Sequence, residues 1–388
     1  MENQQGDGKI MSHITNQQVL KKVDNFLRKI TKKDRVGIIH DTDPDGVCSA
    51  VIMAKCIERL RGKKIDLRIP VDKKQYGITK EMLKKIKKEK ITKLITTDFS
   101  AEHNIPTLKE IEKQAEILVV DHHKLYADYK SNKTILYKPQ YFTKIEPSAY
   151  CTAKLAYDAA SRVSSVSDLD WVAATACIAD IATAPWKKWL AGVFKKYKVK
   201  MKSQKAGLFE NSKTKFSSKD LFQTQIGQAA ATISSTEVYN ANLVPQCYEV
   251  FYKAKKPKDI LTSKLGKYKK IIDKELKKHL ILFEKKAERH GETRVYELTS
   301  PYRVHSPLST ILGLKHPHKT IIIINKSTTP VSVSARRHDK KVAVNNLLEK
   351  AIKGFKGANA GGHVPAAGAG FDKKYLSKFK KRLIAWKT

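Results

Sequence analysis

Four times in the first 180 residues an apolar run gives way to an acidic residue. Three of the runs, residues 36–39, 94–97 and 117–120, read as short buried strands, and the fourth, 173–179, is a small-residue stretch of helix. The acids that follow are Asp41 with Asp43 and Asp45, then Asp98, then Asp121, then Asp180. Between the strands lie segments with apolar residues three or four apart, such as Val51, Ile52, Ala54, Ile57 and Leu60. Strands alternating with helices call for a parallel sheet, because parallel neighbours must be joined by crossovers. The expected fold class is therefore α/β with a doubly wound parallel sheet. In such sheets ligands collect beyond the carboxyl ends of the strands, where these acids fall.

The remaining elements follow in order. Residues 1–15 read as a loose polar tail and 17–30 as an amphipathic helix; Pro44 and Gly46 make a tight turn into a helix over 47–60. Strands are expected at 66–70 and 134–137, with helices at 79–88, 106–114, 148–161 and 169–181. Residues 187–220 are Lys-rich with little periodicity and are expected to form an exposed, mobile insertion. A long helix over 258–290, capped by Gly291, is the expected connector to a smaller α/β domain with strands at 294–298, 320–325 and 330–336 and helices at 342–353 and 373–385. The expected domains are thus 1–190, an insertion and connector over 191–290, and 291–388.

Length agrees with this division, since single cores rarely grow beyond about 250–300 residues and the chain has 388. Its 76 Lys and Arg against 38 Asp and Glu give a formal charge of +38, which points to a polyanionic partner, nucleic acid first. The five cysteines are scattered with no CxxC pair, so neither a disulfide framework nor a cysteine zinc site is indicated. No segment approaches the ~18 apolar residues of a membrane span, and residues 1–9 lack the apolar core of a signal peptide, so a cytoplasmic protein with no membrane partner is expected.

Asp41, Asp43, Asp45, Asp98, His122 and Asp180 supply what two divalent cations held about 3.5–4 Å apart require: carboxylates for each ion, one to bridge, and an imidazole. Oxygen ligands with one imidazole favour Mn²⁺, or Mg²⁺, over zinc, and phosphodiester hydrolysis is the natural reaction of such a pair. The Asp-x-Asp-x-Asp-Gly run also has the look of a calcium loop, but residues 50–53 read Ala-Val-Ile-Met where that loop needs its bidentate glutamate.

These residues resemble the motifs of the DHH phosphoesterase family, nearest to its RecJ-like nucleases. Asp41-Thr-Asp-Pro-Asp45-Gly46 resembles the first motif, Asp98 the second, Asp121-His122-His123 the third and Asp180 the fourth. The resemblance implies that Asp41 and Asp43 hold one ion, that Asp45, His122 and Asp180 hold the other, and that Asp98 bridges. It further implies that His123 faces the scissile phosphate while Asp121 orients the histidines. The family's first ligand is variably histidine or aspartate, which leaves His40 and Asp41 as alternatives there. Later in the chain, Gly361-Gly362-His363 and Ser334-Ala-Arg336 resemble the family's Gly-Gly-His and Ser-x-Arg motifs, so Ser334, Arg336, Gly361, Gly362 and His363 are the expected substrate-binding residues. Bare glycine amides and a forked guanidinium both suit a phosphate. Arg337 would face the other side of a continuing strand.

The expected activity is that of a metal-dependent exonuclease on single-stranded DNA or RNA, releasing nucleoside monophosphates, with replication or repair proteins as further partners. Two other readings stand beside it. One is a nano-RNase or cyclic-dinucleotide phosphodiesterase; the other is a Cdc45-like replication scaffold.

Overall fold

A computed structural model of the chain describes residues 16–71, 77–199 and 218–384, so the tail expected over 1–15 lies outside it. The described residues form two compact units. The first contains those up to Thr236 together with Asn242–Gly266; the second contains Glu237–Ala241 and those from Lys267 on. The stretch 191–290 is shared between them.

In the first unit five parallel strands, β1 (Val36–His40), β2 (Leu67–Pro70), β3 (Lys93–Thr97), β4 (Glu116–Val120) and β5 (Thr134–Tyr137), pair in the order β2-β1-β3-β4-β5. β1 and β3 are buried along their whole length, as expected of strands covered on both faces. The helices are α1 (Gln17–Arg28), α2 (Pro44–Arg61), α3 (Lys80–Lys88), α4 (Ile105–Glu112), α5 (Thr152–Val163) and α6 (Asp170–Ala179). Met82 and Ile86 of α3 and Leu108 and Ile111 of α4 pack on Ile39, Leu94, Ile117 and Val119. Helix α2 packs instead against α5 and α6 and is buried nearly all round, which is why its sequence is apolar and small rather than striped. The strand order reverses direction between β1 and β3, and this switch point is where such sheets open a crevice.

The first part of the lysine-rich segment after α6, expected as an exposed, mobile insertion, is helical. Residues 187–196 form α7 (Lys187–Lys196), whose Leu190, Val193 and Phe194 are buried at helical spacing beneath the lysines. Residues 200–217 lie outside the described residues. Then come α8 (Ser218–Phe222), α9 (Gln225–Tyr239), α10 (Pro245–Lys253) and α11 (Pro257–Thr262). Cys247, Tyr248 and Phe251 of α10 are buried, and α10 packs on α2.

The long helix α12 (Lys264–Lys286) joins the units, the division falling in its first turn. It is shorter than expected at both ends. Ser263 interrupts it in extended conformation, and residues 288–290 form strand β6 (Glu288–His290). Gly291, at φ +56°, turns the hairpin into β7 (Thr293–Leu298) instead of capping a helix.

The second unit's sheet runs β10-β11-β9-β8-β7-β6, with α13 (His305–Lys315), β8 (Thr320–Asn325), β9 (Val331–Arg336), α14 (Val344–Ile352), β10 (Asn359–His363), β11 (Ala366–Phe371) and α15 (Leu376–Ile384). Only β7 and β8 are parallel. One face carries Val295, Ile322, Ile324, Val333 and Ala335 against α14 and α15. The other carries Tyr296, Leu298, Ile321 and Ile323 against α12 and α13. The Gly-Gly-His segment forms strand β10. Its Gly- and Ala-rich sequence has low strand propensity, and the ladder to β11 makes it a strand.

Candidate functional site

The acids at the strand ends come together because the ladder runs one residue past each strand. Asp41 N–H donates to the Thr97 carbonyl (3.2 Å), Asp98 N–H to Val120 (3.0 Å) and Asp121 N–H to Tyr137 (3.3 Å). Asp41, Asp98 and Asp121 are therefore set side by side at the carboxyl edge of β1, β3 and β4. Asp98 is held at φ +66°, a conformation that costs about 1–3 kcal/mol for a non-glycine residue and is found where surroundings over-determine it. Its buried carboxylate also accepts from Thr152 Oγ1 (3.0 Å).

Helix α2 starts directly under this edge. Asp43 caps it by accepting from Gly46 N–H (2.9 Å), and a Cβ on Gly46 would lie 2.3 Å from the Asp41 carbonyl oxygen, so only glycine allows the approach. Asp45, in the first turn, is buried and accepts from the N–H groups of Thr152 and Ala153 (both 2.7 Å), which ties it to the amino end of α5. Asp180 sits at the carboxyl end of α6.

His122 reaches the same place from the loop after β4. Its Nε2 lies 3.7 Å from Asp98, 3.7 Å from Asp180 and 3.9 Å from Asp45. Its Nδ1 is 3.2 Å from the Pro147 carbonyl, which takes the ring proton and leaves the Nε2 lone pair facing the carboxylates. His123 Nδ1 is 2.7 Å from Asp121 and 3.9 Å from Asp98. Asp121 in turn accepts from Lys138 Nζ (2.7 Å), and Lys138, wholly buried, also bonds Glu102 (2.5 Å).

Electrostatics separate two kinds of carboxylate here. Burial works to raise Asp121, but the His123 hydrogen bond and the Lys138 charge outweigh it and hold the carboxyl well below its usual range. Asp98 has no such counter-charge: burial, then the charges of Asp45, Asp43, Asp180 and Asp41, push it far up. Asp180 is raised by burial and by Asp45 and Asp43, and Asp45 by burial against the opposing pull of His122. Three sets of side chains each bring their ligand atoms within 4.8 Å of one another: Asp41, Asp43 and Asp98; Asp45, His122 and Asp180; and Asp98, His122 and His123. Desolvated carboxylates with two imidazoles and no lysine or arginine among them are a donor set that fits divalent cations.

His40 belongs to none of these sets. Its Nδ1 meets the Asp41 carbonyl (2.6 Å), Arg68 lies 3.3 Å from its Nε2, its ring stacks on Tyr248, and burial lowers its pKa to about 4. It braces the Asp41 backbone, while the Asp41 carboxylate faces the acidic group.

In the second unit Ser334 and Arg336 share one face of β9. Arg336 Nη1 donates to Ser334 Oγ (3.1 Å) and the Ala335 carbonyl (2.9 Å), Ser334 Oγ meets Ser309 Oγ (2.8 Å), and burial depresses the guanidinium pKa. The ladder sets Ala366 beside Arg336 and His363 beside Ala366, and Gly361 beside Gly368 beside Ser334, so the two motifs are two strands apart. Gly362 has φ +136°, and a Cβ there would fall 2.4 Å from the Ala366 carbonyl oxygen. The His363 side chain lies outside the described residues. Arg337 points away into Asp339 (2.6 Å) and Glu292 (2.7 Å).

Sequence reasoning missed Lys138, Thr152, Arg68, His305 and His338. Lys138 was findable, since it follows β5 as the acids follow their own strands. His305 Nδ1 and His338 Nε2 are buried without a hydrogen-bond partner among the described residues; burial lowers the pKa of both, helped by Arg303 and Arg336 at His305 and by Arg336 at His338.

Residues 35–184 match the model of the DHH family N-terminal domain, and residues 308–388 match the DHHA1 domain. The chain belongs to the DHH phosphoesterase family. A curated DHH relative, the single-stranded-DNA-specific exonuclease RecJ of Bacillus subtilis (strain 168), is 26% identical over 120 residues, covering 30% of this chain and 15% of that protein. Among solved structures, RecJ of Thermus thermophilus in complex with Mn²⁺ aligns with a TM-score of 0.66 at 14% identity, over 95% of this chain and 54% of that one. A manganese-bound exonuclease RecJ gives 0.64 at 14%, over 95% and 94%. CDC45 of Entamoeba histolytica gives 0.56 at 11%, over 94% and 98%. The chain thus spans about half the length of the Thermus protein and less of the Bacillus one. At these identities the solved structures speak for the DHH fold alone. No helix among the described residues is long and apolar enough to cross a membrane.

Proposed function

We propose that this chain is a metal-dependent phosphodiesterase that trims single-stranded DNA or RNA from an end and releases nucleoside monophosphates. The observation that carries the reading is a chain of overlapping ligand sets in a desolvated acidic cluster: Asp98 falls both with Asp41 and Asp43 and with His122, and His122 falls in turn with Asp45 and Asp180. In this reading Asp41 and Asp43 hold one cation, Asp45, His122 and Asp180 a second, and Asp98 bridges them. Mn²⁺ suits the donors best and Mg²⁺ is the alternative. Cations held there supply Lewis acidity toward a phosphoryl oxygen and lower the pKa of water.

The side chains around the cluster have separate tasks. His123, half exposed and fixed through Nδ1 by Asp121, presents its other nitrogen to the scissile phosphate. Asp121 keeps that tautomer because Lys138 holds it ionised. Asp45 positions α5 as well as its cation. In the second unit Arg336, Ser334, His363 and the Gly361–Gly362 backbone take a phosphate of the terminal nucleotide, a charge-assisted contact that fixes where the strand ends. The DHHA1 match supports that assignment. The +38 charge supports a long polyanion over a dinucleotide.

The test is Mn²⁺-dependent degradation of end-labelled single-stranded RNA and DNA of graded length, with Asp98→Ala beside the wild type. The proposal expects mononucleotide release from long strands, lost by about 10³-fold or more in the variant. Cleavage confined to di- to tetranucleotides would make the chain a nano-RNase. Equal inertness of both proteins, with strand binding retained, would make it a scaffold.

A further inference from the structure

The second unit has one more basic site, at the far end of the row that contains Arg336. The sheet register reads His363, Ala366, Arg336, Ile321, Arg294, Arg289 straight across six strands, from β10 to β6. Directly paired residues share a face, so Arg336, Arg294 and Arg289 all lie on the side of Ile321. That side is the one covered by α12 and α13. Ile321 is wholly buried, α13 packs on β8 and β9, and a Cβ on Gly313 would lie 3.0 Å from Arg336 Cβ, so α13 crosses the row between Arg336 and Arg294.

Beyond α13 the row opens into a cavity of about 180 Å³, lined by Arg289, Arg294, His316 and Lys319 with Glu284 and the apolar Phe283. Its one carboxylate is already engaged: Glu284 pairs with Lys315, and His316 lies 3.7 Å away. Arg294 spends only Nη1 on the hairpin, donating to the Gly291 and Thr293 carbonyls, which leaves Nε and Nη2. The Arg289 guanidinium has no hydrogen bond or ion pair among the described residues, its backbone alone being paired with Arg294. Here two arginines converge on a concavity from adjacent strands, with a third cation from the segment before β8.

We propose that this cavity binds an internal phosphodiester of a single-stranded nucleic acid, as a second phosphate site on the same sheet face as Arg336. Forked guanidinium donors suit a phosphate oxygen pair, and Phe283 shields one side of the contact from water. Neighbouring strands lie about 4.8 Å apart, so Arg336 and Arg294 are separated by about 10 Å along the row with α13 between them, and a chain that passes around the helix from one to the other must carry more than one phosphate. The site would therefore favour longer strands over dinucleotides. This inference rests on the strand-trimming reading above.

The experiment is equilibrium binding, by fluorescence anisotropy, of a single strand of about twenty nucleotides and one of three, without divalent cations, at salt from 50 to 200 mM. Arg289→Ala/Arg294→Ala is compared with wild type. Because Arg294 also ties the hairpin, Arg289→Glu/Lys319→Glu serves as a second variant, and thermal melting confirms that both are folded. The proposal expects binding of the long strand about tenfold weaker, with the slope of log affinity against log salt flatter by about 0.7 for each phosphate released, so that the preference for long over short collapses. Folded variants that bind the long strand as wild type does would overturn the site while leaving the activity intact. Failure of the wild type itself to prefer the long strand would overturn the strand-trimming reading and the site together.

Discussion

The carboxyl edge of the first sheet and the basic row of the second are built by the same device with opposite sign. In both, register alone lines up like charges contributed by separate strands: Asp41 beside Asp98 in one, Arg289 beside Arg294 in the other. Both hold charge that burial penalises, with the carboxyl of Asp98 pushed up and the guanidinium of Arg336 pushed down. They differ in what stands next to the charge. The acidic edge has an inner layer, Asp121 with Lys138 and Glu102, in which charges are matched and buried. The basic row has hydroxyls and carbonyls beside Arg336 and open space beside Arg289. The comparison teaches that uncompensated charge marks the residues meant for a ligand, and compensated charge marks the frame that holds them.

The frame should break hardest. Lys138→Met leaves Glu102 and Asp121 buried without a counter-charge and is expected to cost about 3–5 kcal/mol, read as a loss of denaturation midpoint. Next, Asp121→Asn should leave the fold in place but weaken Mn²⁺ affinity or turnover by about 10- to 100-fold, as removal of an outer-shell partner does. In the second unit Arg336→Met should raise KM for strands about tenfold or more, the size of one lost charge-assisted hydrogen bond, with no loss of melting temperature because the guanidinium is desolvated. A melting loss comparable to that of Lys138→Met would erase the distinction between ligand site and frame.

The last effect concerns a carboxylate that is matched but near the surface. Burial raises Asp66, yet hydrogen bonds from Lys63, the Val36 amide and Arg61 outweigh it and bring its pKa to about 2. A depressed carboxyl contributes stability that is present above its unfolded pKa and lost as pH falls toward the folded value, here between about pH 4 and 2. Asp66→Asn should therefore lower stability by about 1–3 kcal/mol at neutral pH and flatten the acid limb of the stability curve. An unchanged acid limb would show that the pairing contributes nothing.

How far these features could be read from the sequence follows from their range. Strands β1, β3 and β4 were legible because parallel strands buried on both faces are unbroken apolar runs, and Asp41, Asp98 and Asp121 because each ends such a run. Strands β10 and β11 were not, since Gly361, Gly362, Ala367 and Gly368 have no side-chain preference for a sheet and are recruited by the ladder to β9. Helix α7 was hidden by its lysines, although Leu190, Val193 and Phe194 are spaced as a buried face. The occupation of the His40 ring by Arg68 and Tyr248, both distant in sequence, was not legible either. The row from His363 to Arg289 depends on five strand pairings, and two of them, Arg336 with Ala366 and Arg294 with Ile321, join residues far apart in sequence.

The central claim is that the acidic edge is a two-ion centre bridged by Asp98, and calorimetric titration of the metal-free protein with Mn²⁺ tests it most directly. The account predicts two equivalents per chain for the wild type, with Asp98→Ala losing at least one of them while remaining folded. Stoichiometry and affinity that are the same in both proteins, or no uptake of Mn²⁺ by either, would contradict it.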